Sequence, residues 1–220
     1  MTENLAPTAA AIVIAKAPRP GLCKTRLEPL LGAEGCAALQ AELVRRAAAW
    51  AAAVGTPYVA FTPADAREEM AALAPEGTRL IEQADGDLGD RLAAATGFVL
   101  DEHGGPVVLI GVDTPQIKPQ VGRQAIEDLR SGVDVTFGPA ADGGYYLVGL
   151  KDKHPEVFDL PADKWGGAEV FELSLAAAHA AGLQLAMLRA ERDLDDEEDA
   201  RAMLADPLTP PEIAALLRRS

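Results

Sequence analysis

Short apolar runs bounded by Gly, Pro and Asp alternate along the chain with alanine-rich stretches long enough to be helices. That alternation is the pattern of strands joined by crossover helices, and it restricts the fold to an α/β sandwich on a mostly parallel sheet. Strands are predicted at Ala10–Ala15, Pro57–Thr62, Arg79–Gln83, Val107–Gly111, Val133–Gly138, Tyr145–Gly149 and Leu183–Leu188. Helices are predicted over Glu34–Val54, Ala64–Leu73, Gly89–Glu102, Pro119–Ser131 and Ala168–Ala181, where helix formers or a helical period dominate. Only six residues, among them Pro139 and Asp142-Gly143-Gly144, separate Val133–Gly138 from Tyr145–Gly149. No crossover helix fits there, so the sheet is expected to be mixed, with one antiparallel strand.

A length of 220 residues supports one sizeable core, and no repeat or low-complexity linker divides it. The expectation is a single domain over 1–220, with a core of about 10–203 and a helical tail over 204–220. Pro207, Pro210 and Pro211 precede a short amphipathic helix in that tail, which suits a packing arm or an oligomer contact in a monomer or homodimer. A net charge of −14 repels nucleic acid and acidic membrane surfaces, so neither is an expected partner. An anionic small substrate then needs a local basic pocket or a divalent cation. Cys23 and Cys36 are too few for a disulfide framework and lack a zinc spacing, which fits a reducing compartment. Met1–Ala10 has no positive leader and Ala11–Ala15 is too short for a secretory segment or a span, so a cytoplasmic location is expected.

The first strand runs into Lys16-Ala17-Pro18-Arg19-Pro20-Gly21-Leu22-Cys23-Lys24-Thr25-Arg26-Leu27. Ligands of open α/β sheets sit at the carboxyl ends of strands, where this loop lies. Lys16, Arg19, Lys24 and Arg26 concentrate positive charge in an acidic chain, and such side chains hold phosphate oxygens by charge-assisted hydrogen bonds. Backbone N–H groups beside Gly21 can add to that cradle. The competing reading is a solvated loop paired with nearby acids.

The buried strand Val107–Gly111 delivers Asp113 to its carboxyl end, followed by Thr114-Pro115. A carboxylate there needs solvent, a partner or a metal, and Mg²⁺ suits one or two carboxylates completed by water and phosphates. An N-cap for the next helix is the alternative. Gln83-Ala84-Asp85-Gly86-Asp87-Leu88-Gly89-Asp90-Arg91-Leu92 makes a glycine-containing loop able to approach a ligand, with Asp87 equally suited to capping a helix. Asp142-Gly143-Gly144-Tyr145-Tyr146-Leu147 is good turn chemistry, and its tyrosines suit either a pocket or a core. His103, His154 and His179 fall in no motif.

Lys16-x-Pro18-x-Pro20-Gly21, Lys24-Thr25-Arg26-Leu27 and Leu31-Gly32 together resemble the opening of a bacterial glycosyltransferase-like family in the nucleotide-diphospho-sugar transferase (GT-A) superfamily. Lys-Thr-Arg-Leu is also similar to the 2-phospholactate and phosphoenolpyruvate guanylyltransferases. Gly86-Asp87-Leu88-Gly89-Asp90-Arg91 and Asp142-Gly143-Gly144-Tyr145-Tyr146-Leu147 resemble the same family's later motifs, so the likeness runs from Ala11 to about Met203. Trp165-Gly166-Gly167 departs from it, with Gly in the third place of a Trp-Gly-Thr segment.

The resemblance implies a Rossmann-like GT-A three-layer sandwich and a metal-dependent transferase. It implies nucleotide contacts from Lys16, Pro18, Gly21, Lys24, Arg26, Gln83, Gly86, Asp87 and Arg91. Acceptor contacts fall to Asp142, Gly143, Gly144 and Tyr145, and the metal, Mg²⁺ or Mn²⁺, to Asp113 with Asp193 or Asp195. The acid run Asp193–Asp199 also reads as a solvated helix start. Asp113, Asp142 and Lys24 form the expected catalytic set. The reaction implied is metal-assisted displacement without a protein nucleophile. Glycosyl transfer from a nucleotide sugar to a small acceptor leads. Nucleotidyl transfer onto a phosphorylated hydroxy acid and a catalytically silent nucleotide-binding protein are the alternatives.

Overall fold

Strand β1 (Ala10–Lys16) lies between two parallel neighbours, β2 (Thr56–Thr62) and β4 (Val107–Ile110). The computed structural model describes residues 8–218; the start of Met1–Ala10 and the last two residues of the tail lie outside them. β3 (Arg79–Glu82), β6 (Tyr145–Leu150), β5 (Val135–Pro139) and β7 (Leu185–Met187) complete a seven-stranded sheet in the order β3-β2-β1-β4-β6-β5-β7. β6 runs antiparallel to β4 and β5, and the remaining pairs are parallel. The sheet is the expected one.

Alternation along β1 divides the core. Ala11, Val13 and Ala15 face one layer, and Ala10 and Ile12 face the other. On the first face pack Leu39 and Leu43 of α1 (Glu28–Val54), Ile126 and Leu129 of α4 (Pro119–Arg130), and Met203 of α6 (Glu197–Ala205). Ile213 and Leu217 of α7 (Pro211–Leu217) join them, so the tail helix packs onto the body. Leu92 and Val99 of α3 (Leu88–His103) and Ala178 of α5 (Val170–Ala180) cover the second face. β4 is buried at every position, which is why it reads as an unbroken apolar run rather than an alternating one.

Element ends differ from expectation for local reasons. α1 begins at Glu28 but breaks at Gly32, whose φ of 66° is not helical. The stretch predicted as one helix over Ala64–Leu73 is a 3-10 turn, Ala64–Ala66, followed by the short α2 (Arg67–Ala71). β5 starts at Val135 because the Val133 N–H closes the preceding helix on Asp128, around Gly132 at φ 111°. β7 loses Leu183, whose N–H likewise closes α5 on Ala178. The β5–β6 connection is tight, with the Ala140 N–H donating to the Gly144 carbonyl at 3.0 Å.

Register aligns Val13 with Ile110. Lys16 and Asp113, each three residues further on, therefore leave the sheet at the same carboxyl edge. This is also where strand order reverses, β2 and β3 lying on one side of β1 and β4 on the other. In open α/β sheets that edge is where a ligand cleft forms.

Candidate active site

The cleft at this edge has a volume of about 490 Å³. The Gln40 amide nitrogen, from α1, donates to the Lys16 carbonyl at 2.9 Å and fixes the end of β1 as it enters the loop. Lys16, Lys24 and Arg26 line the cleft. Arg19 does not; its guanidinium pairs with Asp65 at 3.0 Å and Glu69 at 2.7 Å. Pro18 and Gly21, the latter at φ 74°, shape the loop without lining the cleft. One of the four loop cations is thus a surface partner, and three face the site.

Lys24 is the one non-glycine residue with positive φ among the described residues, at 51°. A left-handed backbone is strained for such a residue and persists where the surroundings hold it. Its ammonium lies 2.7 Å from Asp113 Oδ1 and 2.9 Å from Asp195 Oδ1, and it also donates to the Leu194 carbonyl. The side chain is only 6% exposed. Burial pulls its pKa down, but the Asp113 and Asp195 carboxylates outweigh that and hold it above the ordinary lysine value. Lys24 therefore partners carboxylates, where the sequence reading had it on phosphate.

Asp193 completes the acidic floor. Its carboxyl accepts a hydrogen bond from the Thr114 hydroxyl. Burial pushes its pKa up to about 7 against the opposing Thr114 bond, and the charges of Asp113, Asp142 and Asp195 add to the rise. Three carboxylates thus act on Asp193 across the cleft. Asp196 and Asp199 belong instead to α6, where their side chains and backbone N–H groups form a reciprocal cap. The acid run is split between site and helix.

Among the described residues no three His, Cys, Asp or Glu side chains are grouped to hold a metal on their own. Mg²⁺ and Mn²⁺ do not need three, because substrate phosphates and water complete their shells. Asp113 Oδ1 is buried with no partner nearby except the Lys24 ammonium, and the surrounding donors are hard oxygens. These residues fit such a cation.

Around this floor the middle motifs divide between structure and site. Asp87 caps α3 reciprocally with Asp90, and Gly86, at φ 111°, leaves no room for a side chain against the Asp90 carboxylate. Neither lines the cleft, whereas Gln83, Leu88 and Arg91 do. The Gln83 amide N–H groups are committed to the Ala15 and Ala60 carbonyls at 3.0 and 2.9 Å. What approaches Gly89 closely is the Phe158 carbonyl and the Trp165 ring.

In the hairpin, Asp142 accepts from the Gly144 N–H at 2.9 Å and both line the cleft. Gly143, at φ 92°, is instead pressed against the Ala168 carbonyl. The Tyr145 ring borders the cleft while packing on Phe137 at 5.4 Å, with its hydroxyl buried. Thr114, Gln40 and the Leu194 carbonyl act in the site without having been singled out from sequence. Their roles arise from tertiary contacts, and only the positions of Thr114 beside Asp113 and of Leu194 between Asp193 and Asp195 offered a signal.

A second cavity, of about 430 Å³, lies between α1 and the segment from Ile110 to Pro119. It contains neither the carboxylates nor the loop cations.

The sheet order, the single antiparallel strand and the cleft at the β1/β4 edge define a nucleotide-diphospho-sugar transferase (GT-A) fold. Residues 36–166 match the family described as an uncharacterized protein conserved in bacteria (DUF2064), and the chain belongs to that family. A protein from Desulfovibrio desulfuricans G20, described as a candidate nucleotide-diphospho-sugar transferase, is 30% identical with a TM-score of 0.85, over 96% of this chain and 94% of that chain. Rv0371c of Mycobacterium tuberculosis H37Rv, solved with manganese, shares the fold at 20% identity and a TM-score of 0.56, over 90% of this chain and 99% of that one. CMP:2-keto-3-deoxy-manno-octonic acid synthetase, solved with CTP, does so at 15% identity and 0.57, over 90% and 98%. No curated protein matches the chain. Among the described residues no helix is long and apolar enough to cross a membrane.

Proposed function

We propose that the chain is a transferase that moves a glycosyl group from a nucleotide-diphospho-sugar to a small acceptor. The observation that carries this reading is the meeting of Lys16, Lys24 and Arg26 with Asp113, Asp142, Asp193 and Asp195 in one cleft. Phosphate oxygens need fixed cations, and in an acidic protein this is where cations converge. Lys16 and Arg26 grip the diphosphate, with Arg91 reaching the same cleft from α3.

Asp113 with Asp195 or Asp193 would hold Mg²⁺ or Mn²⁺, which when bound would supply neutralisation of charge on the departing diphosphate. The acceptor hydroxyl oxygen bonds to the anomeric carbon as the bond from that carbon to the diphosphate oxygen breaks. Its proton passes to Asp142, which the Gly144 N–H orients. A nucleoside diphosphate leaves. The likeness to the Desulfovibrio protein, at 30% identity over 96% of this chain, supports the donor class.

The test is incubation with nucleotide sugars and with nucleoside triphosphates in Mg²⁺, followed by product analysis. Nucleoside diphosphate release supports glycosyl transfer, and pyrophosphate release from a triphosphate replaces it with nucleotidyl transfer.

A further inference from the structure

Lys24 occupies a seat made for a cation. Three oxygens surround its ammonium: Asp113 Oδ1 at 2.7 Å, Asp195 Oδ1 at 2.9 Å and the Leu194 carbonyl. The backbone that carries these oxygens is held by bonds other than those of the lysine. The Leu194 N–H donates to the Asp113 carbonyl at 2.8 Å, tying the two segments together. The Asp195 N–H donates to Asp199 Oδ2 at 3.1 Å, inside the α6 cap. With the ammonium removed, two carboxylates and one carbonyl remain, all hard donors of the kind Mg²⁺ and Mn²⁺ prefer.

We propose that the Lys24 ammonium and the divalent cation compete for this one oxygen seat, so that cation loading releases Lys24 into the cleft. Two carboxylates balance one divalent ion or, less fully, one ammonium. Both cations together would repel at contact distance, and Mg²⁺ would draw the oxygens in to about 2.0–2.1 Å, closing the space the ammonium uses. The displaced lysine stays beside Lys16 and Arg26, which line the same cleft. Its new partner is then the donor diphosphate. Lys24 thereby links cation arrival to the phosphate grip, and its left-handed backbone at φ 51° marks a conformation held by the seat.

The competition rests on the cation-assisted reading above, and the experiment separates the two. Mn²⁺ binding to nucleotide-free protein is measured by calorimetry for the native chain, Lys24→Gln and Lys24→Arg. Lys24→Gln is expected to bind Mn²⁺ at least ten-fold more tightly than the native chain, and Lys24→Arg is not. Equal or weaker binding by a folded Lys24→Gln overturns the competition and leaves the cation reading standing. Absence of Mn²⁺ binding to all three, both nucleotide-free and with a nucleoside diphosphate added, removes both. A second measurement needs no variant: acetylation of Lys24 in the native chain, followed by mass spectrometry. Saturating Mg²⁺ is expected to raise Lys24 labelling several-fold over chelated protein, and unchanged labelling with Mg²⁺ bound overturns the competition.

Discussion

The backbone N–H of Leu194 donates to the carbonyl oxygen of Asp113 at 2.8 Å, joining the end of β4 to the segment that follows β7. Through that bond two stretches far apart in sequence present their carboxylates to one cleft. Asp113 should therefore be indispensable, since it faces both Lys24 and the proposed cation. Asp113→Asn is expected to lower kcat by about 100-fold or more, in line with loss of a preorganised electrostatic group. Asp65→Ala, which removes one of the two acids paired with Arg19 and leaves Glu69, should leave turnover within about two-fold, because an exposed pair contributes little. Steady-state kinetics on the two variants checks the contrast.

Lys16 and Arg26 line the cleft and are exposed, so their removal should affect binding without affecting the fold. Lys16→Ala or Arg26→Ala is expected to weaken donor binding by about ten-fold, the scale of one charge-assisted hydrogen bond. Melting temperature should hold. Calorimetric titration alongside thermal melts separates the two effects.

Asp193 gives the chelated protein a pH dependence of known sign. Its carboxyl moves from an ordinary 3.8 to about 7 on folding, mainly through burial, so the folded state holds that proton more tightly than the unfolded chain. Its stabilising contribution is fully present below 3.8 and is lost as pH rises through about 7. Melting temperature in EDTA should therefore fall more steeply over that window for the native chain than for Asp193→Asn. Parallel slopes would contradict the assignment.

Gly143 combines φ 92° with a Cβ position 2.1 Å from the Ala168 carbonyl oxygen. Gly144 meets nothing closer than the Asp142 carboxylate, at 3.3 Å. Gly143→Ala is expected to destabilise the fold by about 2 kcal/mol or more, from backbone strain and the clash together. Gly144→Ala should be milder in stability while disturbing Asp142. Denaturant unfolding of both variants measures the difference.

The sheet was legible because its strands are apolar runs with strong boundaries, and because Asp142-Gly143-Gly144 leaves no length for a crossover. Strand and helix ends were less legible, since Val133 and Leu183 close helices through bonds that no apolar pattern encodes. In the site, the basic loop and Asp113 stood out by charge against an acidic background. Which loop cation faces the cleft did not, because Arg19 finds Asp65 and Glu69 only in the folded chain. The reach of Lys24 toward carboxylates comes with a left-handed backbone that its residue type gives no reason to expect. The division of the acid run, with Asp193 and Asp195 at the cleft and Asp196 and Asp199 capping α6, is likewise set by tertiary contact.

The most direct test is analysis of the products formed when the protein, Mg²⁺ and a panel of nucleotide sugars and nucleoside triphosphates are incubated with small hydroxylated acceptors. The account predicts release of a nucleoside diphosphate from a nucleotide sugar, lost in Asp113→Asn. Pyrophosphate released from a triphosphate, with every nucleotide sugar left intact, would contradict it.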